Sequence, residues 1–332
     1  MLRAILAAVL LLSLVASGAS SQRLDGFNVV AVPGHPYGGA SAQRALDEAK
    51  RIGAKAIAII PFLWQASAAS PTIGRGTDMT DDELRAAIRD VHALKLRAVV
   101  KPHVWVPTSW AGAVAMDNDD AWRIWFANYG RELQRIAVIA AEEKADALVI
   151  GTELARTTQR PEWGNLIAIV RAAFPGEVFY VAHNDEEAEA IPFWNDLDAI
   201  GVSLYPPFGA DADRDARLLV MRDVADRLDA LAARTGKPIV VAEVGLRSAR
   251  GAAAKPWESP EERDAAPDAP LQAEVLADWL AVLDRPTIQG VLVWRWFTDP
   301  DAGGPTDTDF TVQGKPAEAV LSCAWLMVCS TR

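Results

Sequence analysis

Soft metal ligands are scarce in this 332-residue chain, which has two cysteines and four histidines. His35, His92, His103 and His183 are scattered, with no H-x-H or H-E-x-x-H pattern, so no metal centre is expected. Basic clusters never exceed a few residues and the net charge is −11, which excludes the phosphate neutralisation that nucleic-acid binding requires. Past the N-terminus, no apolar run reaches the roughly 20 residues that a bilayer span needs. There is no G-x-S-x-G elbow for a serine nucleophile. Nor is there a glycine-rich phosphate loop: Val32-Pro-Gly-His35 is no such turn. No cofactor is called for.

The chain is 51% hydrophobic, ample for a large core. Met1 to about Ser21 has the pattern of a secretory signal: Arg3, an apolar stretch over Ala4–Val15, then small residues through Ser20. The expectation is a signal peptide over 1–21, a catalytic domain over 22–332, and a periplasmic or secreted protein without stable membrane insertion after cleavage. Cys323 and Cys329 are six residues apart. On one continuous helix their Cα atoms would lie roughly 9 Å apart, too far for a disulfide. Either the helix ends between them and they bond, or they are two buried thiols.

Strand-like runs fall near Phe27–Val32, Ala54–Pro61, Leu96–His103, Ala147–Thr152, Val178–Ala182, Ala199–Leu204, Pro238–Ala242 and Gly290–Trp296. Helical patterns alternate with them, near Ala42–Ile52, Asp81–Leu94, Asp119–Glu143, Pro161–Ala173, Glu186–Trp194, Asp213–Thr235, Leu271–Leu283 and from Pro316 to about Met327. Thr80-Asp-Asp-Glu83 supplies a capping box for the second helix. Eight strands alternating with eight helices predict an α/β protein, a (β/α)8 TIM barrel in a single domain, over a doubly wound open sheet. The long excursions Phe62–Thr80, Trp105–Asn118, Leu246–Pro270 and Phe297–Lys315 all follow strands, where a barrel builds its active face.

Two apolar runs end in a glutamate: Ala147-Leu-Val-Ile-Gly-Thr-Glu153 and Pro238-Ile-Val-Val-Ala-Glu243. A carboxylate there costs solvation energy, and a pair converging on one rim is what glycoside hydrolysis needs. One group protonates the leaving oxygen while the other attacks or activates water. A separation of about 5–5.5 Å means retention, about 6.5–9.5 Å inversion. The competing reading is a structural salt bridge with Lys101 or Arg295. Lys101 also invites comparison with Schiff-base aldolases, a metabolic role that export argues against.

Trp64, Trp105, Trp110, Trp257, Trp294 and Trp296 fall at strand ends or in the loops beyond, where indole faces can stack on sugar rings. Trp122, Trp125, Trp163, Trp194, Trp279 and Trp325 sit in helical patterns and belong to the core. His103, Asn184 and Tyr205 also follow strands; each either orients a sugar hydroxyl or satisfies a turn, with Tyr205 favoured as functional.

Taken together, Leu96-Arg-Ala-Val-Val-Lys-Pro-His103, Ile150-Gly-Thr-Glu-Leu154, Phe193-Trp-Asn-Asp-Leu-Asp-Ala-Ile-Gly201 with Tyr205, Val241-Ala-Glu-Val-Gly-Leu-Arg-Ser248 and Phe310-Thr-Val-Gln-Gly-Lys-Pro-Ala-Glu318 resemble glycoside hydrolase family 113. The resemblance runs colinearly over nearly all of the chain after the signal. It implies a retaining (β/α)8 glycosidase best known from β-1,4-mannanases. It also implies Glu153 as acid/base, Glu243 as nucleophile and Tyr205 as a hydrogen-bond partner of the nucleophile. His103, Asn184 and Trp294 would line the subsite of the cleaved sugar.

Most of the wider clan has Asn directly before the acid/base, contacting the 2-hydroxyl; here Thr152 takes that place, a departure family 113 shares. The expected substrate is a polysaccharide or oligosaccharide, mannan first. The alternatives are a cell-surface exopolysaccharide cleaved by the same mechanism, or a non-catalytic glycan-binding barrel.

Overall fold

The structure, a computed structural model, describes residues 23–210 and 212–328. The signal-peptide expectation and Cys329 therefore lie outside the described residues. The strands are β1 (Gly26–Val30), β2 (Ala56–Ile59), β3 (Phe62–Gln65), β4 (Ile73–Arg75), β5 (Arg97–Val100) and β6 (His103–Trp105). There follow β7 (Ala147–Thr152), β8 (Glu177–Ala182), β9 (Ala199–Leu204), β10 (Ile239–Val244) and β11 (Ile288–Phe297). Between and after them come α1 (Ala40–Arg51), α2 (Asp81–Ala93), α3 (Asp119–Glu142), α4 (Glu162–Ala173), α5 (Asp185–Ala190), α6 (Arg214–Thr235), α7 (Ala269–Val282) and α8 (Pro316–Leu326).

Eight strands close a parallel barrel in the order β1-β11-β10-β9-β8-β7-β5-β2. The remaining three form a small sheet, β4-β3-β6. The fold is thus a (β/α)8 barrel in a single domain. Its strands carry apolar, β-branched side chains on both faces because both are covered. Alternate residues feed two cores. Val99, Val149, Phe179, Val181, Val240 and Leu292 belong to the packing inside the barrel. Their neighbours Leu148, Ile150, Tyr180 and Val241 point outward onto the helices.

That alternation breaks at both glutamate-bearing strands, and the breaks position the site. On β10, Val241 and Val244 both face the outer core while Ala242 faces inward. The register against β9 shifts between Val241 and Glu243, a bulge that turns Glu243 into the barrel mouth. Strict alternation would have pointed it outward with Val241. Buried Asn28 donates from Nδ2 to the Ala242 carbonyl over 2.9 Å, pinning the irregular backbone from β1. On β7 the register against β8 shifts between Val149 and Thr152. Gly151 lies inside this shift, where a Cβ would come within 2.8 Å of the Tyr180 ring and 2.9 Å of Trp163.

Some boundaries differ from the sequence reading. The run Leu96–His103 is two strands: β5 ends at Val100, and after Lys101-Pro102 the chain leaves the barrel as β6. Phe62–Thr80, read as a loop, contains β3 and β4. α5 stops at Ala190, two residues before Pro192, and Trp194–Asp196 forms a separate short 3-10 turn. The capping box at Thr80 and Glu83 is present. Cys323 is disulfide-bonded, which excludes two free thiols, and α8 ends three residues beyond it. Among the described residues, no helix is long and apolar enough to cross a membrane.

Candidate active site

Glu153 follows β7 directly, in the left-handed backbone region at φ 56°. A non-glycine residue there costs about 1 kcal/mol or more, a strain that surrounding structure must hold. Two bonds do so: its N–H donates to the Val181 carbonyl at 2.8 Å, and the Tyr129 hydroxyl donates to the Ile150 carbonyl at 2.8 Å from beneath the strand. Tyr129 stacks on Trp125, part of an aromatic layer with Trp163 and Tyr180 behind β7 and β8.

Glu243 is 5% exposed and held at both carboxylate oxygens. The Lys101 ammonium, itself fully buried, donates to Oε1, and the Tyr205 hydroxyl donates to Oε2 at 3.1 Å. The salt bridge weighed against catalysis therefore exists for Glu243. A buried bridge does not preclude a reactive carboxylate, because the same cation favours the charged form against the effect of burial. The other cation considered, Arg295, instead pairs with Asp309.

Burial pushes the Glu243 carboxyl up, aided by the charge of Glu153 and opposed by Lys101 and Tyr205; the net direction is above the ordinary value. For Glu153, burial is outweighed by His183 and His103, so it lies below the ordinary glutamate value. His183 Nδ1 stands 3.3 Å from Glu153 Oε2. Burial lowers that imidazole's proton affinity, but Glu153 more than compensates, and the net shift is upward. Each group thus shifts the other's proton affinity across the 3.3 Å pair, and their titrations are linked.

From the sequence, His183 is weighed only as a metal ligand and not as a partner of Glu153, a role that only its place after a barrel strand could have signalled. The His183 ring packs on Trp110, with centroids 4.5 Å apart, and its backbone N–H donates to Glu187 Oε2 at 2.7 Å. Glu187 also accepts from the Tyr180 hydroxyl at 2.9 Å, and burial pushes its carboxyl up to about 7.

The other candidates separate by exposure. His103 is part-buried near Glu153; burial and the Lys101 charge press its imidazole down to about 4, so it is neutral above that pH. Asn184 caps α5, its Oδ1 accepting from Glu187 N at 2.8 Å, and it also lines a cavity of about 330 Å3 with His183, Tyr205 and Trp257. Trp294 is part-exposed, with Lys101 Nζ 5.3 Å from its ring centroid. Trp64, Trp105, Trp110 and Trp257 are 42–49% exposed.

Two expectations are corrected. Trp296 is fully buried and donates its indole N–H to the Ala45 carbonyl at 3.0 Å, so it packs α1 against the barrel and cannot meet a sugar. Thr152 is 1% exposed and donates its hydroxyl to the Pro102 carbonyl at 3.1 Å, so it braces the strand end instead of reaching into the cleft. Of the helical tryptophans assigned to the core, Trp122, Trp125, Trp163, Trp194 and Trp279 are buried, whereas Trp325 is only partly buried and packs against the core. Among the described residues no group of three or more His, Cys, Asp or Glu is placed to hold a metal ion.

Residues 26–315 match the family Glycoside Hydrolase Family 113. A β-mannanase of that family from Alicyclobacillus acidocaldarius, solved in complex with ManMIm, is similar in structure. Its TM-score is 0.82 at 24% identity, over 93% of this chain and 98% of that one. A β-1,4-mannanase of the same family, also solved as a complex, gives 0.82 at 25% identity, over 92% and 99%. A family 5 mannosidase from Rhizomucor miehei shares the fold, with a TM-score of 0.61 at 13% identity over 88% and 89%. No curated protein sequence matches the chain.

Proposed function

This chain belongs to glycoside hydrolase family 113, and from that premise we propose that it cleaves β-1,4-linked mannose-containing glycans with retention. Glu243 is the nucleophile and Glu153 the acid/base. The observation that carries the assignment is the clamp on Glu243: Lys101 and Tyr205 together fix the plane of its carboxylate and favour its charged form. Glu153 has no such permanent cation. Its partner is His183, a group that can itself gain and lose a proton at working pH.

In the first half-reaction a Glu243 oxygen bonds to the anomeric carbon as the bond to the leaving oxygen breaks. Glu153 gives that oxygen a proton. In the second, water attacks the glycosyl ester, Glu153 takes the proton from water, and Glu243 leaves as a carboxylate. The low proton affinity of Glu153 beside a charged His183 defines which form reacts: the proton shared by the pair must reside on Glu153 when the bond breaks.

The similar structures are of β-mannanases, which supports mannose as the sugar. The N-terminal sequence supports action outside the cytoplasm. Because Thr152 is tied to Pro102, the contact to the sugar's 2-hydroxyl falls to another group. A surface polysaccharide of the producing cell is therefore the second substrate to screen.

The test is hydrolysis of defined manno-oligosaccharides, mannan, glucomannan and surface polysaccharide, followed by NMR of the anomeric protons. Release of β-mannose ends first is the expected result. Initial appearance of the α-anomer contradicts retention, and cleavage of surface polysaccharide alone changes the substrate but keeps the mechanism.

A further inference from the structure

The small sheet β4-β3-β6 is left unused by the carboxylate chemistry, yet it is built to present aromatic rings. β3 and β6 run parallel in the register Phe62↔His103, Leu63↔Val104 and Trp64↔Trp105. Paired residues share a face, and alternate residues take opposite faces. One face is sealed: Leu63, Val104 and Gln65 are at most 2% exposed, and Gln65 accepts the Trp125 indole N–H at 2.8 Å, anchoring the sheet to α3. The other face carries His103, whose charge interacts with that of Glu153, with Phe62 paired beside it, then Trp105 and Trp64 farther along the strands. The ring centroids are 6.0 Å apart for Phe62 and His103 and 6.0 Å for Trp64 and Trp105.

The outer pair is fixed as well as exposed. Trp64 donates its indole N–H to Asp78 Oδ1 at 2.8 Å, leaving the ring face as the surface on offer. Gly76 allows that arrangement, since a Cβ there would come within 2.2 Å of the indole nitrogen. Across β3, Trp64 faces Gly74, whose missing side chain leaves open space beside the ring. A cavity of about 840 Å3 adjoins Trp64, walled by Pro33, Pro36, Asp78 and Glu83. Its charged groups are acidic, which suits a neutral sugar and opposes an anionic one.

Two residues of strand separate His103 from Trp105, about 7 Å, somewhat more than one pyranose ring. We propose that the Trp64–Trp105 face is a distal subsite that stacks a neutral hexopyranose of the same glycan chain, at least one unit beyond the sugars that meet Glu153 and Glu243. The proposal rests on the glycosidase reading above for its occupant, and on the sheet for its place. Continuity of the face from His103 to Trp64 makes the sheet a ruler that rewards longer substrates.

The experiment is kcat/KM for manno-oligosaccharides of two to six units, for the wild type, Trp64→Ala and Gly74→Gln, with thermal melts of each. Gly74→Gln adds a side chain on the same face without changing Trp64. The gain in kcat/KM from the shortest to the longest substrate should shrink about ten-fold in both variants, mostly through KM. Unchanged chain-length dependence in both variants, with normal melts, overturns the proposal.

If the wild type hydrolyses none of these oligosaccharides, the functional reading fails separately. Calorimetric titration of Glu153→Gln, with and without Trp64→Ala, then decides the subsite. Affinity that rises with chain length only when Trp64 is present supports it. Affinity that does not depend on Trp64 overturns it.

Discussion

The Tyr205 hydroxyl donates to Oε2 of Glu243 at 3.1 Å, on the side of the carboxylate opposite the Lys101 ammonium. Tyr205 follows β9 and Glu243 is the penultimate residue of β10, so neighbouring strands supply the proposed nucleophile and its brace. Burial and the adjacent carboxylates raise the phenol's own pKa, so it remains a donor at all working pH values. Tyr205→Phe should lower kcat/KM by about ten-fold or more, the worth of one hydrogen bond to a charged acceptor. The melting temperature should move little. Steady-state kinetics on the best manno-oligosaccharide checks this, and unchanged kcat/KM counts against the brace.

Lys101 opposes the rise that burial imposes on Glu243. In Lys101→Met the carboxyl loses its cation and moves further up, so the acid limb of the kcat/KM profile shifts to higher pH. Removing one partner of a buried pair should also cost about 3 kcal/mol of folding stability. Denaturant unfolding and the pH profile measure the two effects independently. An acid limb that stays in place removes Lys101 from the ionisation of Glu243.

His183 Nδ1 lies 3.3 Å from Glu153 Oε2, and each group shifts the other's proton affinity, so the last proton to leave the pair has two places to bind in this account. A proton with two places to bind leaves at a higher pH than a proton with one. His183→Asn should therefore move the alkaline limb of kcat/KM to lower pH. The loss should be greater for sugar leaving groups, which need the proton, than for an activated dinitrophenyl glycoside. Equal losses on both substrates would reduce His183 to a packing residue.

His103 predicts a pH dependence of stability. Its folded value of about 4 lies below the ordinary imidazole value of 6.5, so between them the unfolded chain binds a proton that the native state refuses. Stability contributed by the neutral imidazole is present above that window and is lost as pH falls from 6.5 towards 4. Melting temperatures across the window should fall less steeply for His103→Asn than for the wild type. Parallel slopes would mean that the imidazole titrates normally.

The barrel was legible because fully covered strands leave long β-branched runs and the helices between them are amphipathic. Glu153, Glu243 and Tyr205 were legible because polar groups at the ends of such runs are costly. The bulge at Ala242–Glu243 was not, since the pattern of buried residues is apolar on both faces and carries no parity signal. β3 and β4 escaped notice for another reason: strands of four and three residues are defined by distant partners, with little periodicity of their own. Trp296 shows the reverse error. Two tryptophans two residues apart on one strand looked alike, but Trp296 is fully buried under α1 whereas Trp294 is part-exposed beside Lys101.

The most direct test of the central claim is to trap the glycosyl-enzyme with a 2-deoxy-2-fluoro-mannosyl fluoride and map the modified residue by peptide mass spectrometry. The account predicts stoichiometric labelling on Glu243, coincident with loss of activity and absent in Glu243→Gln. A label on any other residue, or full hydrolytic activity with no covalent adduct under trapping conditions, would contradict it.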